Sequence, residues 1–590
     1  MTRAVVVRHP ADVPAALAGA GPSDLLVGIG LDALVALRRA RPNGSVRSFW
    51  SLPGAGALRD LLQQHLHHDY EAEFGADSPW HSAGYQLMQF EYEVAAALLA
   101  ARALATQAGI TGITLFAREG HAPIVGRPFL DPALETTAEE AVRVACAERS
   151  LPLEVVASKA TPRDAPAGFA VGLPLHTRLR RRLSTWRARL RLSAILARRR
   201  PYILAYGELL DYINLVPQLE KAKDRAVVAV GQLSDQQLQT WLPRLPWGYL
   251  PLFEAVGNAG PASSEADTAI LHKYLEERRR AWALPEGSPL IEVQRSEFGR
   301  AIIGGAAHIR RLAMRLRHHP PEAVLSANMS YWKTNFFLRH VGLGSRKVAF
   351  QHGGFGYAPP SCLYKGLEAV AVWGESQGEL VRESGFTGAI IAESRHAAHE
   401  TAFASDLPTE LRVLLATSSQ SNNSAPFFCD DEEYVGFLES LVRTVEGAPN
   451  LGLTIRNHPR FDHPAAYLPL VEGAKRCRLA GKESMEESID NSSIVIFYGA
   501  FSTLLFEAAR RGRRVAIIQS PTSLGYADRI ATLGRIPVFE STQDFLRFLE
   551  APTAACWERL ASETRAFSRS YGTMPEATPD FPRWLASPSP

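Results

Sequence analysis

Three short segments bring together residue types that handle phosphates, sugars and protons. The first is Ile494-Val-Ile-Phe-Tyr-Gly-Ala-Phe-Ser-Thr-Leu-Leu-Phe-Glu507. Its apolar run predicts a buried strand ending at Tyr498, Gly499 permits a tight turn, and Ser502 and Thr503 open a helix as caps. Amides and hydroxyls at a helix N-terminus suit a phosphate. Glu507, one turn further on, could accept hydrogen bonds from ribose hydroxyls or a base. The bland reading of the same residues is an ordinary capped helix with a surface acid.

The second segment is Leu453-Thr-Ile-Arg-Asn-His-Pro459. A strand delivers Arg456 and His458 to its carboxyl end, and Pro459 stops it and stiffens the turn. His458 could donate to a phosphate oxygen or protonate a departing nucleotide phosphate. The later pair His463-Pro464 reads as loop. The third segment is Val348-Ala-Phe-Gln-His-Gly-Gly-Phe-Gly-Tyr357. A buried strand ends at Gln351-His352, and Gly353, Gly354 and Gly356 let the backbone approach a ligand closely. The spacing is not the dinucleotide-binding G-x-G-x-x-G. His352 is a candidate general base or a sugar or phosphate contact. Glu208 and Asp211, at the end of another predicted strand, are the alternative bases; their bland reading is an acid favoured by a helix N-terminus. Asp430-Asp431-Glu432-Glu433 reads as the first turn of a helix rather than a metal site.

These residues need elements to hold them. Strands are predicted at Tyr202–Tyr206, Val227–Val230, Ala323–Leu325, Val348–Gln351, Glu368–Trp373 and Ala389–Ala392, with helical stretches between them that include Glu265–Ala283. After about His396 the alternation starts again, with strands at Leu411–Ala416, Gly452–Arg456, Arg478–Ala480, Ile494–Tyr498 and Val515–Ile518. The helices there are Glu432–Val445, Ser502–Arg511 and, at the end, Phe545–Leu549 and Trp557–Ser570. Strands alternating with helices predict parallel doubly wound sheets. Two such domains in tandem, 201–396 and 397–575, describe the GT-B architecture, whose site lies between them beyond the carboxyl ends of the strands. Residues 1–175 read as an additional α/β domain, with strands at Ala4–Val7, Leu25–Val27 and Ile110–Phe116 and a helix at Gly84–Ala108. Its Glu119-Gly120-His121 turn is a weak candidate site. The Pro-rich stretch 576–590 reads as a tail or a strap without regular structure.

Between these units lies a basic linker, 176–200. Ten arginines fall between Arg178 and Arg200, with no acid among them. Leu179, Leu183, Trp186 and Leu190 share one helical face. Such a helix can lie on an anionic membrane surface; the alternatives are an interdomain helix packed by its Leu/Trp stripe with a solvated basic face and, as the minor reading, a nucleic-acid contact.

Composition bounds the rest. The chain has 590 residues, 46% hydrophobic and 21% charged, with a formal net charge of +3. That is a folded, multidomain balance, and too mild a charge to argue for a nucleic-acid partner. Five scattered cysteines, Cys146, Cys362, Cys429, Cys477 and Cys556, give neither a disulfide framework nor a zinc motif and fit a reducing compartment. No signal-peptide pattern is read at Met1–Pro10, and the longest apolar runs, such as Val94–Ala101, fall short of a membrane span. The expectation is a cytoplasmic protein, peripheral at most at the inner face of the plasma membrane.

Taken together, Gln351-His352-Gly353, Arg456-x-His458-Pro459 and Ser502-Thr503-x-x-x-Glu507 resemble the GT-B glycosyltransferases of bacterial surface-polysaccharide synthesis. They are most similar to the transferases that use CMP-Kdo or CMP-sialic acid. The resemblance spans about residues 202–550. It implies that His458-Pro459, Ser502 and Thr503 bind the CMP phosphate and nucleotide, with Arg456 and Glu507 beside them. It implies a nucleotide-sugar co-substrate, a glycan, glycolipid or glycoprotein acceptor, and no metal or other cofactor. The glycine-rich segment also resembles CDP-glycerol and CDP-ribitol phosphotransferases, where the histidine, here His352, acts at the reaction centre. The acidic D/E-D-G motif frequent in bacterial sialyltransferases is absent, which leaves His352, Glu208 and Asp211 to supply the base. No Asp-x-Asp occurs, which argues against a metal-dependent GT-A enzyme. An epimerase of the same fold and a non-catalytic scaffold of a polysaccharide complex are the rivals.

Overall fold

The computed structural model describes residues 2–587. Excepted are 118–136, 160–174, 209–215, 233–248, 253–264, 354–363, 394–402, 418–425, 459–463, 523–535 and several shorter stretches, His352 among them. Asp211, Gly354, Pro459 and the Glu119–His121 turn therefore lie outside the described residues, as does the side chain of Glu208.

Among the described residues the chain forms three parallel sheets. The first holds β1 (Thr2–Val7), β2 (Leu25–Gly28), β3 (Val46–Ser48), β4 (Ile110–Ala117) and β5 (Leu153–Ala157), in the order β3-β2-β1-β4-β5. The second holds β6 (Tyr202–Glu208), β7 (Ala226–Gln232), β8 (Tyr249–Pro251), β9 (Ala323–Ala327), β10 (Arg346–Phe350), β11 (Ala369–Val372) and β12 (Ala389–Ala392), ordered β12-β11-β10-β9-β6-β7-β8. The third holds β13 (Leu411–Ala416), β14 (Leu451–Arg456), β15 (Cys477–Leu479), β16 (Ile494–Tyr498), β17 (Arg514–Ile518) and β18 (Val538–Phe539), ordered β15-β14-β13-β16-β17-β18. Counted within its own unit, each sheet runs third, second, first, fourth, fifth, the doubly wound order that reverses beside its first strand. The fold is thus α/β, with two tandem Rossmann-like domains preceded by a further α/β unit built on the same plan. The central strands are the most apolar, as expected where helices cover both faces; β16 and β17 are buried at every residue, whereas the edge strand β5 is largely open.

The first unit is wedged against both of the others. Its helix Leu31–Ala40 sends Leu31, Leu34 and Val35 into the core of the third unit beside Leu411, Tyr434 and Leu438. Its helix Gly84–Thr106 shares a core with the second unit, where Phe90 meets Trp282 edge-on. A buried carboxylate pins that contact. Glu91 accepts from Tyr70, His65 and Tyr274, at 3.0, 3.1 and 2.7 Å, and from Arg278.

The end of the chain does not stay with the third unit. Helix Ala554–Gly572 crosses back so that Ser570 and Tyr571 press on Gly374, the residue two beyond β11. Past it, Ala392 forms a parallel bridge with Asp580. Residues Phe581–Ala586 then form a short helix, N-capped by Asp580 with Pro582 in its first turn. This corrects the expectation of no regular structure there, while the segment does strap the second unit. Phe581, Trp584 and Leu585 complete one face of the second sheet, against Ile203, Leu325 and Phe350. The Arg346 guanidinium lies 3.8 Å over the Trp584 ring and donates to the Trp584, Leu585 and Ser587 carbonyls.

The basic linker is helical over Leu175–Arg198, as its spacing predicts. The stripe of Leu179, Leu183, Trp186 and Leu190 does not pack inward: all four are exposed, and Ala188, Leu192 and Ile195 are buried instead. The packed-stripe alternative is therefore overturned. No described helix is long and apolar enough to cross a membrane.

Candidate functional site

Helix Thr503–Arg510 forms where the sequence places it. Ser502 is its N-cap, with extended backbone, and its hydroxyl accepts from the Leu504 amide at 3.3 Å. Gly499 has φ +60°, the left-handed region, and a Cβ there would meet the Cys429 and Ser520 Cβ atoms at 3.1 and 3.3 Å. Glycine is thus required twice over, by conformation and by space. The first turn of this helix carries no acid. Glu507 is partly exposed and sits 3.6 Å from Arg510.

A second helix start on this edge behaves in the opposite way. The helix Asp431–Gly447 follows β13, the position that carries the phosphate in dinucleotide-binding domains. Here Asp430 caps it, Asp431, Glu432 and Glu433 fill its first turn, and every one of the four is already engaged. Ser48 donates to Asp431, Arg47 and the Ser48 amide to Glu432, and Ser520 and Thr522 to Glu433. Burial, then the adjacent Asp430, push the Asp431 carboxyl well above the ordinary aspartate range. Four carboxyl groups make this end hostile to an anion. The start of helix Thr503–Arg510 carries no such charge.

β14 and β16 flank β13, so His458 and Ser502 leave the same edge on strands two positions apart, a span of roughly 10 Å at the usual sheet spacing. His458 is half-buried. Its amide donates to the Thr417 hydroxyl at 3.3 Å, and the Thr417 amide donates to the Arg456 carbonyl at 3.0 Å. Thr417, the first residue past β13, thus fixes the His458 turn. Sequence reasoning missed it, although the run Thr417-Ser-Ser-Gln-Ser-Asn-Asn-Ser after a strand is a visible hydroxyl and amide cluster. Arg456 leans along this edge toward β15: its Nη1 donates to the Glu483 and Ser484 carbonyls and, at 2.8 Å, to the Ser488 hydroxyl. That ties β14 to the start of helix Met485–Asp490.

From the second unit, the loop after β10 comes directly to meet helix Thr503–Arg510. A Cβ built on Gly353 would stand 3.6 Å from the Thr503 hydroxyl. Gln351 holds that loop from beneath. It is 2% exposed, donates to the Gly353 carbonyl at 2.9 Å and to Gln377 at 2.7 Å, and accepts from the Trp373 amide at 3.1 Å. Gln377 in turn bonds Tyr571 on the crossing helix. Trp373 stacks on Phe506 at 6.1 Å, and Phe501, Phe567 and Tyr571 close the aromatic cluster. Neither Gln377 nor Tyr571 carries a local sequence signal, since their pairing depends on the crossover. Glu208 is the last residue of β6, two strands from β10. The register Phe350↔Ala327 and Ser326↔Tyr206 puts its backbone level with Gln351 on the same edge.

The structure therefore brings Gln351, Gly353, His458, Ser502 and Thr503 to facing carboxyl edges, with Glu208 at the rim by backbone position. Arg456 stays at the same edge, held toward the loop after β15.

No protein-family model matches the chain, and no curated relative does. Among solved structures, it is similar to a putative UDP-N-acetylglucosamine 2-epimerase from Listeria monocytogenes, at 12% identity and TM-score 0.37, over 63% of this chain and 92% of that one. It is similar to MurG of Acinetobacter baumannii at 10% identity and TM-score 0.36, over 63% and 97%. The spinosyn rhamnosyltransferase SpnG, complexed with thymidine diphosphate, matches at 13% identity and TM-score 0.35, over 65% and 100%. Likenesses this distant carry no functional inference.

Proposed function

We propose that this chain is a glycosyltransferase that moves a sugar from a nucleotide-linked donor to a glycan, glycolipid or glycoprotein acceptor without a metal. The carrying observation is the meeting of Gly353 with Thr503 across two Rossmann-like units, at the acid-free helix start. The donor phosphate would sit at Ser502 and Thr503, where amides and hydroxyls stabilise the leaving charge as the glycosidic bond breaks. His458, across three strands, would donate to the same nucleotide. Pro459 would stiffen its turn, and Glu507 would take ribose hydroxyls. The acceptor hydroxyl would enter from the second unit, its proton passing to His352 or to Glu208 or Asp211. Gly353 and Gly354 would leave room for the sugar.

The finer reading is a CMP-linked nonulosonic acid donor, of Kdo or sialic-acid type. Its support is the pairing of His458-Pro459 with Ser502-Thr503 and nothing else. Thermal-shift titration of wild type and His458→Ala with CMP, CDP, UDP, GDP and ADP tests both levels. A ligand at 100 times its Kd adds about 2.7 kcal/mol to the native state. CMP alone should stabilise, and the substitution should abolish the shift. UDP or GDP in its place refutes the CMP donor and keeps the transferase. A CDP preference favours polyol phosphate transfer, and no shift with any nucleotide refutes the whole reading in favour of a scaffold.

A further inference from the structure

Helix Leu175–Arg198 presents two apolar faces, and only one of them is used by the fold. Ala188, Leu192 and Ile195, at 2, 1 and 4% exposure, pack toward β7 and β8. On the opposite side Leu179, Leu183, Trp186 and Leu190 stand 52, 57, 59 and 51% exposed. At 100° per residue these four fall within about 60° of arc. They are four of the seven large apolar side chains exposed among the described residues. The crest is bordered by cations: Arg182 and Arg189 on one side, Arg187 on the other, all exposed. The run His176 to Pro201 contains no acid. On the neighbouring helix Gly299–Leu316, Arg315 feels the charge of Arg189, and Met314 is itself exposed.

An apolar crest between rows of arginines complements one kind of surface. A phosphodiester backbone would satisfy the arginines and leave three leucines and a tryptophan in water. A bilayer of anionic phospholipids satisfies both, with the apolar side chains among the acyl carbons and the guanidinium groups at the phosphates. We propose that this helix docks the protein on an anionic phospholipid surface, lying in the plane of the membrane. Because its reverse face is packed on the second sheet, only the crest enters, to the depth of side chains. The proposal stands apart from any reading of the nucleotide site.

Flotation of the full chain tests it, with vesicles of phosphatidylcholine alone and of phosphatidylcholine mixed with phosphatidylglycerol. The expectation is salt-sensitive binding to the mixed vesicles and none to phosphatidylcholine. Each arginine at such a surface contributes about fivefold, so Arg182→Glu/Arg187→Glu/Arg189→Glu should lose at least about 100-fold. Leu183→Ser/Trp186→Ser should lose at least about tenfold at unchanged charge. Both sets replace exposed side chains, and an unchanged melting temperature certifies that they fold. Failure to float, equal binding to uncharged vesicles, or wild-type binding by Leu183→Ser/Trp186→Ser overturns the proposal. So does tighter binding to RNA than to vesicles, or a dimer in sedimentation that Leu183→Ser/Trp186→Ser abolishes.

Discussion

Gly374 is where the crossing helix is tied to the second unit, and replacing it by alanine tests that tie. Its backbone is extended, φ −156°, so alanine has no conformational objection. Space is the objection: the new Cβ would lie 2.3 Å from both the carbonyl carbon and oxygen of Tyr571 and 2.7 Å from the Ser570 oxygen. All three are backbone atoms, which cannot rotate away. Ordinary contact begins at 3.4 Å, so helix Ala554–Gly572 must retreat by roughly 1 Å. That retreat would stretch the 3.0 Å bonds from the Ser376 hydroxyl to Ser570 and from the Glu375 amide to Thr573. Overpacking of this kind costs about 2–3 kcal/mol, which for a unit of this size lowers the melting temperature by roughly 5–10 °C. Differential scanning calorimetry reads it. Gly436→Ala is the control: the position is inside a helix with open space around its Cβ, so alanine should stabilise by about 0.5–1 kcal/mol. If Gly374→Ala melts within about 1 °C of wild type, the close approach of the crossing helix is refuted.

Gln351→Glu keeps shape but removes both donors, to Gly353 and to Gln377. We expect a loss of about 2–3 kcal/mol and a weaker nucleotide-induced thermal shift. Arg346→Met should free the Phe581–Ala586 helix while sparing the proposed nucleotide site, read as faster amide exchange confined to that helix and β12. Burial alone would raise the Glu91 carboxyl, but the His65 bond, the Arg278 charge and the Tyr274 bond outweigh it and hold the pKa at about 2, below the ordinary 4.5. A lowered carboxylate stabilises above its unfolded pKa, so Glu91→Gln should be weaker than wild type by about 3 kcal/mol near neutrality. Urea unfolding at stepped pH should show that gap closing as pH falls from 4.5 toward 2.

Local signals carried the third unit well. The strand Ile494–Tyr498, the turn at Gly499 and the cap at Ser502 are each decided by neighbours in sequence, and each is found where its residues place it. The acidic run Asp430–Glu433 is a helix start for the same reason. What failed was long-range. The Arg456 side chain lies at a functional edge by strand position, yet its partner is decided by where helix Met485–Asp490 happens to begin. The basic helix has apolar residues on two faces, and periodicity cannot say which face meets the sheet; bulk suggested Leu and Trp, whereas the small Ala188 permits the close approach. Prolines made the last stretch look irregular, although Asp580 followed by Pro582 is a helix-start signal.

The crossover also has a bearing on time. A ribosome delivers β12 about 190 residues before it delivers Phe581, Trp584 and Leu585, a delay of roughly 10–40 s at ordinary elongation rates. During that interval the second sheet is complete in its strands yet bare on the patch those three side chains will cover. The nascent second unit is thus obliged to wait for the third to be made, and a ribosome stalled past residue 540 would hold an exposed apolar sheet face, the kind of surface that recruits chaperones.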